Sequence, residues 1–246
     1  MRLLLGDCLE LMRALPDGSV DAVIADPPYG TTACKWDAVI PFAPMWEQLR
    51  RVAKPNAATV LFAAQPFTSA LVMSNPREFR YDWVWHKSRA SGHLNAKHRP
   101  MQAHEHIVVF GRREPSYFPQ MVAGNPYRIR RSGTKTGAQY GAHTAIEGDY
   151  DGQRWPRSVQ EYSPGANGTK LHPTQKPVDL LAYLVRTYTN PGDTVLDFCM
   201  GSGTTGVACA QEGRDFIGIE RERAYYEIAQ RRIAAAQPPL FAEVAD

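Results

Sequence analysis

The 246-residue sequence predicts an α/β domain built on a doubly wound, mostly parallel sheet and interrupted by an irregular insertion. Three observations predict it. Short apolar runs alternate with amphipathic stretches at helical spacing, the rhythm of strands covered by helices on both faces. That rhythm stops at Arg112 and resumes at His172. Hydrophobic residues make up 43 % of the chain, enough for a sizeable core.

The elements follow in order. Leu3 to Leu5 is a short apolar run ending at Gly6-Asp7, after which Leu9, Leu11, Met12 and Leu15 recur at helical spacing until Pro16-Asp17-Gly18. Val20 to Ala25 reads as a buried strand running into Asp26-Pro27-Pro28-Tyr29. Pro44 to Val52 reads as a helix that stops before Pro55-Asn56, Thr59 to Ala63 as a buried strand, and Phe67 to Met73 as a helix. Strands are expected at Tyr81 to Trp85 and Ile107 to Phe110. From Arg112 to about Thr169 no helix or long strand is predicted, and a stretch of that length inside a domain reads as a functional insertion. Val178 to Tyr188 is amphipathic, Thr194 to Phe198 a strand, and Gly201-Ser202-Gly203 a loop leading into a helix from Thr204 to Gln211. Asp215 to Glu220 is the next strand and Arg223 to Ala236 a charged closing helix, with a loose tail from Gln237.

Net charge is only +3, but its distribution is uneven. Between Lys87 and Lys135 lie Lys87, Arg89, Lys97, Arg99, Arg112, Arg113, Arg128, Arg130, Arg131 and Lys135, against Glu105 and Glu114 alone. Such a stretch suits a polyanion, and equally a solvated basic face. Cys8, Cys34, Cys199 and Cys209 form no CxxC pair, which suits free thiols in a reducing compartment better than disulfides or a metal site. No signal-peptide pattern and no run approaching ~20 apolar residues is present, so a soluble, cytoplasmic protein is expected.

Two motifs carry chemistry. Asp197 ends a strand, and Gly201-Ser202-Gly203-Thr204-Thr205 follows, letting backbone pass close to a ligand at the carboxyl end of the sheet. Glu220, ending the next strand, can accept hydrogen bonds from two ribose hydroxyls. A loop of this kind can also serve only to tighten a helix–sheet junction. No Lys follows the glycines, which disfavours a phosphate-binding P-loop. In the second motif, Pro27 and Pro28 stiffen the backbone and remove two donors, so Asp26 and nearby carbonyls form an acceptor-rich edge suited to an aromatic amino group. Tyr29 adds a flat face for a base. An ordinary strand-ending turn reads the same in isolation.

Together the motifs give more than either alone. With His172-Pro173-Thr174-Gln175-Lys176-Pro177 just ahead of the glycine loop, the sequence resembles the amino-group (N6-adenine/N4-cytosine) DNA methyltransferases, in the permuted order that puts the catalytic tetrapeptide before the cofactor loop. The resemblance covers Leu3 to about Gly111 and His172 to Ile233. It implies a Rossmann-like methyltransferase fold, with 1–111 as catalytic half, 112–171 as target-recognition insertion and 172–236 as cofactor half. It implies S-adenosylmethionine as cofactor and flipped-out duplex DNA as substrate. Asp26 and the Pro27 carbonyl, stiffened by Pro28, would hold the target amine, with Tyr29 on the base. Asp7, Asp197, Gly201, Ser202, Gly203, Thr204, Thr205 and Glu220 would line the cofactor, and Thr174 and Lys176 would close over its methionine carboxylate. Lys87, Arg89, Lys97, Arg99, Arg128, Arg130, Arg131 and Lys135 would follow the DNA backbone. Where the family commonly has Pro-Phe after the Asp, Phe198-Cys199 stands here, displacing the aromatic expected over the adenine.

Asp at the head of the tetrapeptide favours adenine N6 over cytosine N4, since family members with Ser there act more often on cytosine. A protein or RNA amide methyltransferase would place the cofactor loop first, and a silent DNA-binding module would have no use for both motifs. Trp83 and Trp85 read as core rather than DNA contacts. A homodimer and a separate restriction endonuclease stay open as partners.

Overall fold

The computed structural model describes residues 1–31, 37–131, 133, 144–164 and 175–237. Its elements are β1 (Arg2–Leu5), α1 (Cys8–Arg13), β2 (Val20–Ala25), α2 (Phe42–Val52), β3 (Ala53–Ala63), α3 (Phe67–Ser74), β4 (Phe79–Ser91), β5 (Gln102–Phe110), β6 (Tyr127–Arg131), β7 (Ile146–Tyr150), β8 (Val159–Tyr162), α4 (Val178–Tyr188), β9 (Thr194–Asp197), α5 (Thr204–Gln211), β10 (Asp215–Glu220) and α6 (Arg223–Ala236). They fall into two compact units, Met1–Phe118 with Ser158–Asp246, and Pro119–Arg157.

The first unit holds an eight-stranded sheet in the order β1-β10-β9-β2-β3-β5-β4-β8. It is parallel from β1 to β3, antiparallel at β5 and β4, and parallel again where β8 joins β4. This is the mostly parallel, doubly wound sheet that the sequence predicts. Alternation along each strand divides the core between two faces. Ala22, Ile24, Val60 and Phe62 pack with Leu181, Tyr188, Cys209 and Ile233 from α4, α5 and α6. Val23, Ala25, Leu61 and Ala63 pack with Met12, Leu49, Phe67 and Leu71 from α1, α2 and α3. Trp83 and Trp85 are buried in the first of these clusters, as expected of core residues. Their indole N–H groups donate to the Tyr188 hydroxyl at 2.7 Å and the Tyr162 carbonyl at 2.9 Å.

Several boundaries differ from the sequence expectation, β5 among them, which begins at Gln102 rather than Ile107. β3 begins at Ala53, which pairs with Val20, and the register then shifts so that Ala58 pairs with Ala22. The extra residues accommodate Pro55, which cannot donate to a ladder. β4 runs on to Ser91, and its exposed polar end carries no apolar signal to read. The separate unit is narrower than 112–171, because backbone bonds hold its flanks on the main unit: Ser116 N–H to Asn56, Phe118 N–H to Thr187, and β8 to β4. That smaller unit contains the antiparallel ribbon of β6 and β7, a Tyr127–Tyr150 ring stack at 5.3 Å, and a Val122–Arg154 bridge. Cys8, Cys199 and Cys209 are free thiols. Among the described residues no helix is long and apolar enough to cross a membrane.

Candidate active site

The strands that carry the two motifs are neighbours: β2 pairs directly with β9 through Ala22–Val195 and Val23–Leu196. Asp26 to Tyr29 leave the carboxyl end of β2 just as 197–205 leave that of β9, the edge at which open α/β sheets bind ligands. A cleft of about 690 Å³ opens there, bounded by both segments and by Asp7, Glu105, Lys176 and Glu220.

Asp26 lies two residues beyond Ile24 and so continues the α4-facing side of β2. Its Oδ1 accepts the Tyr29 hydroxyl at 2.6 Å and its Oδ2 accepts the Lys176 ammonium at 2.6 Å. The same ammonium lies 3.2 Å from Glu105 Oε2, and Glu105 Oε1 is held by Lys87. Two carboxylates and two ammoniums thus form one largely buried quartet of balanced charge, the arrangement that charge withdrawn from water requires. Burial raises the Asp26 carboxyl above the ordinary carboxylate range despite the opposing Lys176 charge. Burial acts on Glu105 in the same direction, but Lys176 and Lys87 together bring it below its ordinary value. For Lys176, burial would lower the ammonium; Asp26 and Glu105 hold it above its ordinary value instead. Tyr29 also stacks on Phe67 at 5.1 Å, and burial pushes its phenol well up, so it is a fixed neutral donor with one face committed. After it, the Gly30 and Thr31 N–H groups donate to the two Asp37 oxygens at 2.9 Å, anchoring the loop.

The cofactor-type loop is tied from three sides. Asp197 accepts the Thr205 hydroxyl at 2.7 Å and the Cys199 N–H at 3.1 Å. Its carboxyl is pushed up to about 7, chiefly by burial. The Glu220 carboxylate accepts the N–H groups of Gly201 at 2.9 Å and Glu222 at 2.8 Å, and its pKa too is raised by burial. Arg232 reaches from α6 to the Ser202 carbonyl at 2.6 Å, the Ser202 hydroxyl at 3.0 Å and the Thr204 hydroxyl at 3.3 Å. Gly203 opens α5 at φ +78°, where a Cβ would meet that of Ala229 at 2.8 Å; glycine is required on both counts. Asp7 caps α1 through Leu9 and Glu10 N–H groups, and the Gly6 N–H donates to the Glu220 carbonyl at 2.9 Å.

Asp7, Asp26 to Tyr29, Lys176, Asp197, Gly201, Ser202, Thr204, Thr205 and Glu220 therefore bound one cleft, with Gly203 beneath the loop. The Lys176 ammonium is bound to Asp26 and Glu105, on the tetrapeptide side of the cleft. Lys87 stands in the cleft wall as well. The period of two that buries Trp83 and Trp85 turns it inward, where it is only 11 % exposed and paired with Glu105. Arg89 bounds the cleft on the same hairpin and is exposed, as are Lys97 and Arg99. Arg128 and Arg130 are exposed on β6, facing Glu147 and Asp149 of β7, and Arg131 ends that strand. Thr174 and Lys135 lie outside the described residues. Phe198 is buried with Leu196 and Ile219, so the displaced aromatic serves the core, while Cys199 is partly exposed at the cleft. Sequence reasoning missed Glu105, Asp37 and Arg232. Glu105 had a legible signal, an acidic residue on the inward face of a strand two positions before Ile107.

Comparison with known proteins agrees with this architecture. A family described as DNA methylase, of the N6/N4 type, matches residues 20–231. A type II methyltransferase of Moraxella bovis, M1.MboII, is 28 % identical over 241 residues, covering 89 % of this chain and 91 % of that protein. Among solved structures, the M1.HpyAVI–SAM complex is 24 % identical with a TM-score of 0.64, covering 94 % of this chain and 98 % of that one. The PvuII cytosine-N4-specific DNA methyltransferase is 19 % identical with a TM-score of 0.68, covering 94 % and 85 %.

Proposed function

The chain belongs to the N6/N4 DNA methylase family, and from that premise we propose that it transfers a methyl group from S-adenosylmethionine to adenine N6 in duplex DNA. The observation that carries the reading is the direct adjacency of β2 and β9, which brings the Asp26 tetrapeptide and the glycine loop to one cleft. The cleft residues suit the cofactor. Gly203 leaves backbone room, the buried Glu220 carboxylate sits at the end of β10 where ribose hydroxyls need an acceptor, and about 690 Å³ accommodates a nucleoside with its side chain.

When bound, S-adenosylmethionine supplies a sulfonium methyl that is already electrophilic, so this chain's residues contribute mainly alignment, worth up to ~7–11 kcal/mol. Asp26 accepts hydrogen bonds from the exocyclic amine together with the Pro27 carbonyl, favouring a pyramidal nitrogen with an available lone pair. The amine becomes acidic as the new bond forms, so Asp26 need not be a strong base. Tyr29, fixed by Asp26 and Phe67, walls the space that a flipped base enters. Exposed Arg89, Lys97, Arg99, Arg128 and Arg130 suit phosphate contacts. Asp at the head of the tetrapeptide supports adenine over cytosine N4, the second reading.

The test is transfer of label from S-adenosylmethionine to mixed-sequence duplex DNA with nucleoside analysis. N6-methyladenine is the expected product. N4-methylcytosine would overturn the base and keep the mechanism; label in RNA or protein alone would overturn the DNA substrate.

A further inference from the structure

We propose that Glu105 is a positioning residue for methyl transfer: it is the second acceptor for the Lys176 ammonium, letting that ammonium move off Asp26 when a substrate amino group arrives. The proposal rests on the reading of Asp26 given above. In the structure both Asp26 oxygens are engaged, Oδ1 by the Tyr29 hydroxyl and Oδ2 by Lys176, each at 2.6 Å. An incoming amine therefore competes with donors already in place. Lys176 is the one with an alternative. Glu105 Oε2 lies 3.2 Å from Nζ, is buried, and lacks a well-directed hydrogen bond. A buried acceptor held by an ion pair without good hydrogen-bond geometry is incompletely satisfied, so a short displacement of the ammonium toward Glu105 improves one contact as it opens another. Lys87 occupies Glu105 Oε1, and Lys176 and Lys87 together keep the carboxylate ionised, so Oε2 remains an acceptor throughout. Without Glu105, a lysine leaving Asp26 would be a buried cation with no carboxylate beside it, and Asp26 would stay capped.

The groups facing Asp26 are Tyr29 from its own loop, Lys176 ahead of α4, Glu105 on β5, and Asp197 with Cys199 at the end of β9. Glu105 is the one whose charge is removed in Glu105→Gln, and that charge raises Asp26. In the whole 246-residue chain at saturating S-adenosylmethionine, Glu105→Gln is expected to lower kcat by roughly 10- to 100-fold, the range a lost charged hydrogen bond spans. The acid limb of the kcat–pH profile should move to lower pH, cofactor affinity should change less than about twofold, and Glu105→Asp should recover part of the loss. Because Glu105→Gln leaves Lys87 unpaired, the Lys87→Met/Glu105→Gln pair, neutral at both positions, carries the same test if the single variant melts early. Wild-type kcat in either variant overturns the proposal. So does a reduced kcat with an unmoved acid limb and no recovery by Asp, which would mark a packing role. A wild-type protein that methylates no base would instead overturn the reading of Asp26 itself.

Discussion

Asp197→Asn should change how stability depends on pH, by an amount the site determines. Asp197 is 3 % exposed at the end of β9, and burial, reinforced by the charges of Asp26 and Glu220, pushes its carboxyl from 3.8 to about 7 although Thr205 and Cys199 donate to it. A raised value means that the folded chain keeps a proton the unfolded chain has released. This contribution to stability is therefore complete below about 3.8 and is lost as the pH rises through about 7. At about 1.4 kcal/mol for each pH unit the whole interval is worth about 4 kcal/mol, of which about 2–3 falls between about pH 5 and about pH 8. Asparagine cannot ionise, so the variant should gain that much relative to wild type across this range and then level off. Urea unfolding of both proteins at several pH values measures it. Any constant offset from altered hydrogen bonds to Thr205 or Cys199 cancels. Parallel stability curves would refute the claim that a buried, ionising carboxylate sits beneath the glycine loop.

Other perturbations test the remaining parts. Asp26→Ala should abolish detectable methyl transfer while calorimetric cofactor affinity stays near wild type; substantial turnover would remove Asp26 from the chemistry. Glu220→Ala should weaken cofactor binding by at least about 1–2 kcal/mol, because the same carboxylate also anchors Gly201 and Glu222, and an unchanged Kd would exclude it. Gly206→Ala puts a Cβ 2.4 Å from Ile233 Cδ1 and 2.7 Å from Phe216 Cε1, and should cost about 1–3 kcal/mol in urea unfolding. Replacing Arg128 and Arg130 by Ala should flatten the slope of log affinity for DNA against log salt by about 2, measured by anisotropy; an unchanged slope would take β6 off the phosphate track.

Most of the sheet was legible because its strands are short apolar runs closed by Pro, Gly or Asp. Val20–Ala25, Val178–Tyr188, Thr204–Gln211 and Arg223–Ala236 have the boundaries their periodicity predicts. What escaped was pairing across the sheet. Lys87 and Glu105 were each visible, one counted among basic residues and the other as an exception to them. Only the register that sets Trp85 opposite Glu105 brings the two charges together on the inward face. Likewise Lys176 was legible as a cleft residue, but its partner across 150 positions depends on β2 and α4 meeting. Arg232 belongs to a helix whose charge reads as solvent-facing, and its hold on Ser202 follows from how α6 packs over α5.

The order of strands also bears on how the molecule is made. β9 and β10 lie between β1 and β2, so Ala22 waits for Val195 and Arg2 for Ile217. A nascent chain emerging from the ribosome can pair β2 with β3, but the other edge of β2 stays open until the last strands have been synthesised. That edge belongs to Val-Asp-Ala-Val-Ile-Ala, an apolar segment of the kind that invites pairing with other chains. Long-range closure of this sort folds more slowly than pairing between neighbouring strands. The sheet order that unites the two halves of the cleft thus also leaves the inner edge of β2 without its partner until β9 has been made.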